Sequence, residues 1–442
     1  MIGGENMRKT WFLFLICFFF LLLGCENIAK EKDEEVNTSN LDIKVSLKES
    51  ELWNSTIKNY LKDDLWVERD RYDASHVLMV PLHYAFQSGD QKLISDFETH
   101  FDNFIKYGTE TIDITKESDR LSVLSYYYLL SEYIVLAKSD ESKVMKFNVD
   151  YLAKFLLKEI ERIWHDYPAW QWGRDPFIGG MKEKLIWKLD NKKVGYSYYR
   201  AVIDEELFVM AIASDLSRYF INQPVINDIK QVTYRTFKNE SNFDKMGRWL
   251  FQIGVWSDHV DYAYVGYDNK NEISDIKRIS NISTDSSHFH RFPLWIKSFI
   301  NSYPKDSTER NYFIKINKGL EKQLFDKVLV EPNKETSFYK MNNFMDGRNG
   351  LYRWNYSTVM GDGYGPYELS GTFSLGWWTF LGSERIKRVY LKLAQQYPLS
   401  QETIDIYVGP NTSRERNPYV NDPDSYRNGI KEILAILASK LK

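Results

Sequence analysis

The sequence predicts an all-α-dominated domain, an array of antiparallel helical hairpins with long loops at one end and a few short strands. Three observations predict it. Beyond Glu49, apolar residues recur at three- and four-residue spacing in about a dozen successive segments. Long polar-aromatic stretches, Trp164 to Gly180, Gly254 to Thr284 and Asn342 to Ser370, separate some of them, and loops of that length tend to be functional. No fixed-period repeat is visible, which argues against a short-repeat solenoid.

Leu52, Ile57, Tyr60 and Leu61 share one helical face. Val77 to Phe86 follows, with Pro81 marking a start or kink and Gly89 placed as a C-cap. Leu93 to Ile105, the Tyr- and Leu-rich run Leu121 to Leu136, and Val144 to Ile163 continue the pattern. Further helices are expected at Leu207 to Phe220, Leu294 to Ile300, Phe313 to Val330, Leu375 to Leu381, Ile386 to Leu393 and Ile430 to Leu441. Strands or extended hairpins are expected at Lys184 to Leu189, Val260 to Tyr267 and Leu351 to Met360.

Ahead of this body, Arg8 and Lys9 precede an apolar run from Trp11 to Leu23, the n-region and h-region of an export signal. As a helix that run reaches only ~20 Å, short of the ~30 Å hydrocarbon core. The ending Leu22-Leu23-Gly24-Cys25 resembles the lipobox of bacterial lipoproteins. That resemblance implies a signal peptide over 1–24, an acylated Cys25 as mature N-terminus and attachment to a membrane of the bacterial cell envelope. Multiple acyl chains would exceed the marginal hold of one. Glu26 in place of an aspartate makes the outer membrane the expected location, and the polar stretch 25–46 reads as a flexible tether to a domain over 47–442.

Composition narrows the chemistry. The two cysteines, Cys17 and Cys25, both lie in the leader and anchor, which excludes disulfides, thiol nucleophiles and Cys-ligated metals from the body. A net charge of −3 without any basic block disfavours nucleic acid. Aromatics make up 16% of the chain, with 13 Trp and 30 Tyr, a content that suits both a helical core and a groove that stacks on sugar rings.

Trp249-Leu-Phe-Gln-Ile-Gly-Val-Trp-Ser-Asp-His-Val-Asp261, Thr284-Asp-Ser-Ser-His-Phe-His-Arg291 with Trp295, and Gly365-Pro-Tyr-Glu368 followed by Trp377-Trp378 carry a second resemblance. With the helix pattern, they resemble the (α/α) toroids of polysaccharide lyases, glycoside hydrolases and uronyl epimerases. The resemblance implies a toroid over the whole body and a lyase or hydrolase acting on a polysaccharide or oligosaccharide. The alternative is a non-catalytic lipoprotein for glycan binding or assembly.

The strongest cluster is Asp285, His288, His290 and Arg291. Asp285 fits an N-cap with His288 in the first turn, and a helix N-terminus favours a carboxylate-bearing substrate. Arg291 is a candidate uronate clamp, His288 a candidate base and His290 a substrate contact. Asp258 and His259, beside Trp256 and Asp261, form a second cluster in a long loop; for a neutral sugar, Asp258 and Glu368 are the candidate carboxylate pair. Trp170 and Trp172 alternate in a third loop as a sugar platform, followed by Arg174 and Asp175, with Arg174 a second candidate clamp. Tyr364 is an alternative base. Asp70, Arg71, Asp73 and His76 mark a capping site with groove exposure. Seven histidines without His-Glu-x-x-His point to no metal or other cofactor.

Overall fold

The computed structural model describes residues 48–139, 146–268, 278–334, 336–354, 363–410 and 415–442, all within the unit Lys48–Lys442. Cys25 and the apolar run before it lie outside the described residues. Helical residues 48–55 and the turn Ile57–Tyr60 open the unit. Twelve longer helices follow: α1 (Asp70–Ser88), α2 (Gln91–Asn103), α3 (Glu117–Ser139), α4 (Lys146–His165), α5 (Gly180–Asp190), α6 (Asp204–Tyr219), α7 (Pro224–Glu240), α8 (Phe292–Asn301), α9 (Thr308–Gln323), α10 (Glu384–Gln395), α11 (Gln401–Val408) and α12 (Ile430–Lys440). Two short antiparallel pairs, β1 (Ser241–Phe243) with β2 (Trp249–Phe251) and β3 (Leu329–Val330) with β4 (Lys340–Met341), are the named strands among the described residues.

Local chemistry accounts for most boundaries. α1 ends at Gly89, whose φ of 68° gives the left-handed cap that its residue type permits. Pro81 sits inside α1 instead of starting it. Asp90, Ser307, Ser383 and Ser400 accept backbone N–H bonds at the starts of α2, α9, α10 and α11. α2 and α9 each run on into a wider five-residue turn, Phe104–Gly108 and Leu324–Val328.

Several sequence expectations are corrected. Lys184 to Leu189 is not a strand; it lies within α5, where Leu185 and Leu189, four apart, are both buried. Val260 to Tyr267 is a 3₁₀ turn (Val260–Tyr262) followed by a single bridge, Val265 to Gly350. Leu375 to Leu381 is no α-helix: Gly376, at φ 83°, separates two 3₁₀ segments, Ser370–Leu375 and Trp377–Leu381. In the third expected strand, Tyr352 bridges Tyr364, while 355–360 lie outside the described residues. Helices α7 and α11 were not expected at all.

The main core runs through all the long helices. α1 packs on α3, α3 on α6, and α6 on α8 and α7. α8 meets the segment Trp377–Leu381, which also touches α12, and α12 returns to α1. Where α1, α3, α6 and α8 meet, the interior is polar: His83 Nε2 lies 3.2 Å from Glu132, and Ser131 donates to Asp215 at 2.8 Å. A second, smaller core of Tyr262, Val265, Ile282, Phe344, Tyr352 and Leu369 holds two long loops together.

Candidate active site

The first turns of α1, α6 and α12, with Leu121 of α3 and the turn Ser286–Phe289 leading into α8, contribute walls to one cavity of about 470 Å³. That lies within the roughly 300–1,000 Å³ typical of small-molecule sites. Tyr72, Asp73 and His76 come from α1, Leu121 from α3, Asp204 from α6 and Lys431 from α12. Helix N-termini carry unpaired N–H groups and partial positive charge, so convergence of several favours an anion.

His288 is the best-oriented titratable group on this cavity. Asp285 is fully buried and caps the turn by accepting from the His288 backbone N–H at 3.0 Å. Its carboxylate also accepts from His288 Nδ1 at 2.8 Å, from the Tyr262 hydroxyl at 2.8 Å, from the Tyr352 hydroxyl at 3.0 Å and from Ser287. Burial alone would raise this carboxyl, but the His288 charge and these donors hold it well below the usual carboxylate range. A permanent carboxylate at Nδ1 fixes the proton there and leaves Nε2 as the lone-pair nitrogen. The His288 side chain is 32% exposed, lines the cavity, and has no partner at Nε2 among the described residues.

Arg291 is not a free clamp. It is buried, its NH1 donates to Asp204 at 2.8 Å, its Nε donates to His76 Nε2 at 2.8 Å, and Tyr72 takes a further bond. His76 Nδ1 faces the Tyr72 carbonyl at 2.7 Å and so carries that ring's proton, consistent with burial and Arg291 pushing its pKa well down. His290 is buried too: Nδ1 is spent on the Ser287 carbonyl, and the ring packs between His76 and Trp377. Both residues reach the cavity wall, Arg291 with its polar atoms engaged by protein and His290 with Nε2 buried and without a hydrogen-bond partner.

Two further candidates line the same cavity. Glu368 accepts from the Gly365 N–H at 2.6 Å, while burial raises its pKa against that bond. Tyr364 belongs to the same loop and pairs its backbone with Tyr352. Asn343 organises that loop, donating to the carbonyls of Gly350 and Gly365 at 2.8 Å each. Arg353, which sequence reasoning missed, also lines the cavity and bonds Asp261 at 2.9 Å.

The second and third loops meet elsewhere. Trp170 and Trp172 lie edge to face at 4.9 Å, and Trp172 contacts Tyr198, Trp256 and His259 at 5.5, 6.2 and 6.4 Å. This aromatic cluster adjoins the cavity through Trp256, stacked on Tyr262 at 5.5 Å, and through Asp261 on Arg353. The unanticipated members, Tyr196, Tyr198 and Tyr199, were signalled by the aromatic run 196–199. His259 belongs here, not on the cavity wall: its Nδ1 accepts from the Asp261 N–H at 3.2 Å, and burial lowers its pKa. Asp258 is likewise absent from the wall and anchors the loop, accepting from Ser197 N at 3.1 Å and Arg278 at 3.0 Å. Asp258 and Glu368 therefore do not share the cavity wall. Arg174 stacks on Phe177 at 3.8 Å, and neither it nor the exposed Asp175 lines the cavity.

Arg69, Arg416, Asp422 and Lys431 complete the polar wall, and nothing in their local sequence distinguishes them from solvated charges. Among the described residues, no group of three or more His, Cys, Asp or Glu side chains is placed to hold a metal ion. No family model, curated protein or solved structure matches this chain.

Proposed function

We propose that this chain is an envelope-anchored (α/α)-toroid protein that cleaves a uronate-bearing polysaccharide by β-elimination. The observation that carries the reading is His288, oriented by a buried carboxylate and open at Nε2 to a cavity walled by helix N-termini. The circuit of packing from α1 through α3, α6, α8, Trp377–Leu381 and α12 back to α1 supports the toroid. The anchor rests on the lipobox at Cys25, and the outer membrane on Glu26.

In this mechanism His288 Nε2 removes the proton on the carbon beside the substrate carboxylate. Arg353, in the role the sequence suggested for Arg291, offsets the charge that develops on that carboxylate. The new carbanion forms a carbon–carbon double bond as the glycosidic carbon–oxygen bond breaks. Glu368, kept protonated longer by burial, supplies the proton to the departing oxygen. The aromatic cluster of Trp170, Trp172, Tyr198 and Trp256 holds neighbouring sugar rings.

The test is incubation of the full-length chain with uronic-acid and neutral polysaccharides, followed by ultraviolet absorbance of unsaturated ends and by reducing-end assay. Unsaturated ends from a uronate polymer, reduced about 10²–10⁴-fold by His288→Ala, are the expected result. New reducing ends without unsaturation would replace elimination with hydrolysis. Binding without any product would leave a glycan-capture lipoprotein.

A further inference from the structure

Lys431 breaks three rules of charge placement at once. It is 7% exposed. It is the second residue of α12, where the partial positive charge of the helix N-terminus disfavours a cation. Among the described residues its ammonium has no ion pair within 4 Å and no hydrogen bond. The side chain is buried but its ammonium opens on the cavity, where a cation without a carboxylate at contact distance is only partly compensated by water. Lysine is therefore a costly choice here unless something outside the protein completes the site.

The surroundings specify the missing group. Asp73 and Asp422 are the carboxylates that act on Lys431, but both are shared with Arg416 at 3.8 Å. Asp73 is also paired with Arg69 at 3.4 Å, and Asp422 accepts from Ser425. The Tyr426 ring lies 5.5 Å from the ammonium, a cation–π contact that holds it in place without neutralising it. Arg69, Arg291, Arg353, Arg416 and Lys431 thus face the cavity against Asp73, Asp204, Glu368 and Asp422. Glu368, raised by burial, adds the least negative charge of the four. Asp261, behind the wall, offsets Arg353 at 2.9 Å, so among the described residues Lys431 is the cation of this set without a carboxylate within 4 Å.

We propose that Lys431, assisted by Arg416, forms a second anion subsite of this cavity, which takes an oxyanion on a sugar unit other than the one that reacts at His288. The claim rests on the saccharide reading above and sharpens it to a substrate with acidic groups on more than one unit. A uronate carboxylate and a sulfate ester share the required chemistry.

Calorimetric titration of the full-length chain in detergent with glucuronic acid, glucose 6-sulfate and glucose tests it. At least one anionic sugar should bind, with affinity falling as salt rises, and glucose should bind at least tenfold more weakly. Lys431→Met should weaken the anionic sugar at least tenfold with near-ultraviolet circular dichroism unchanged, while Lys431→Arg should stay within threefold of the parent. Preference between the two anionic probes identifies the group. No binding by either anionic sugar, equal binding of glucose, or Lys431→Met within twofold of the parent would overturn the subsite. A subsite that binds in a chain yielding no unsaturated product therefore retires elimination alone, and product formation indifferent to Lys431→Met retires the subsite alone.

Discussion

Asp285 collects donors from a backbone N–H, an imidazole, two tyrosine hydroxyls and a serine, a set that only an ionised carboxylate satisfies. Its value to His288 is the tautomer it enforces. Asp285→Asn presents an amide donor to Nδ1, pushes the ring proton to Nε2 and removes the free lone pair. Turnover should fall about 10²–10⁴-fold. Imidazole ¹⁵N spectra should show Nε2–H in place of Nδ1–H, a change that a purely structural role would not produce. The pairing was legible from sequence as Asp-Ser-Ser-His opening a helix. The competing fate of Arg291 was not, because Asp204 and Tyr72, its partners, lie 87 and 219 residues away.

Among the elements, α5 shows how a local pattern misleads. Lys184-Leu-Ile-Trp-Lys-Leu189 is rich in β-favouring residues, yet the Lys184–Lys188 and Leu185–Leu189 spacings are those of one helical face. That face is held by Glu206 at the start of α6, which lies 2.7 Å from Lys184 and 2.6 Å from Lys188 and accepts from the Ile203 N–H at 2.6 Å. All three charged groups are buried, and burial pushes Lys188 down to about 7 despite Glu206. Glu206→Gln strands two cations and should cost about 3–5 kcal/mol in urea unfolding, because breaking a buried pair leaves uncompensated charge. α7 carried its own signals, Pro224 at its first position and Val225, Ile229 and Val232 on one face. Its low apolar content hid them.

At the scale of the whole molecule, buried histidines link stability to pH. His100 donates to the Leu61 carbonyl at 3.0 Å and pairs with the Tyr126 hydroxyl at 2.9 Å, joining α2 to its neighbours; burial pushes its pKa down to about 4. His76 and His290 are lowered in the same direction. Each holds its proton less readily folded than unfolded. Between about 6.5 and the folded value the unfolded chain therefore binds more protons, and stability falls as pH falls. His100 alone should remove about 3 kcal/mol between pH 7 and pH 4. Urea midpoints across that range should show the loss, and His100→Phe should reduce it by that share.

Sequence by itself determined what depends on neighbours along the chain: helical periodicity, caps such as Gly89 and Asp285, and the long aromatic loops. Tertiary structure decided which charges are consumed and which are left over. Arg291 is neutralised by Asp204 and Asp258 by Arg278, while Lys431 has no ion pair within 4 Å among the described residues. The reason is that a charge's cost and use depend on burial and on partners within a few ångströms, and these come from segments hundreds of residues apart. A side chain's type fixes how much charge it carries, and only the fold fixes what meets it.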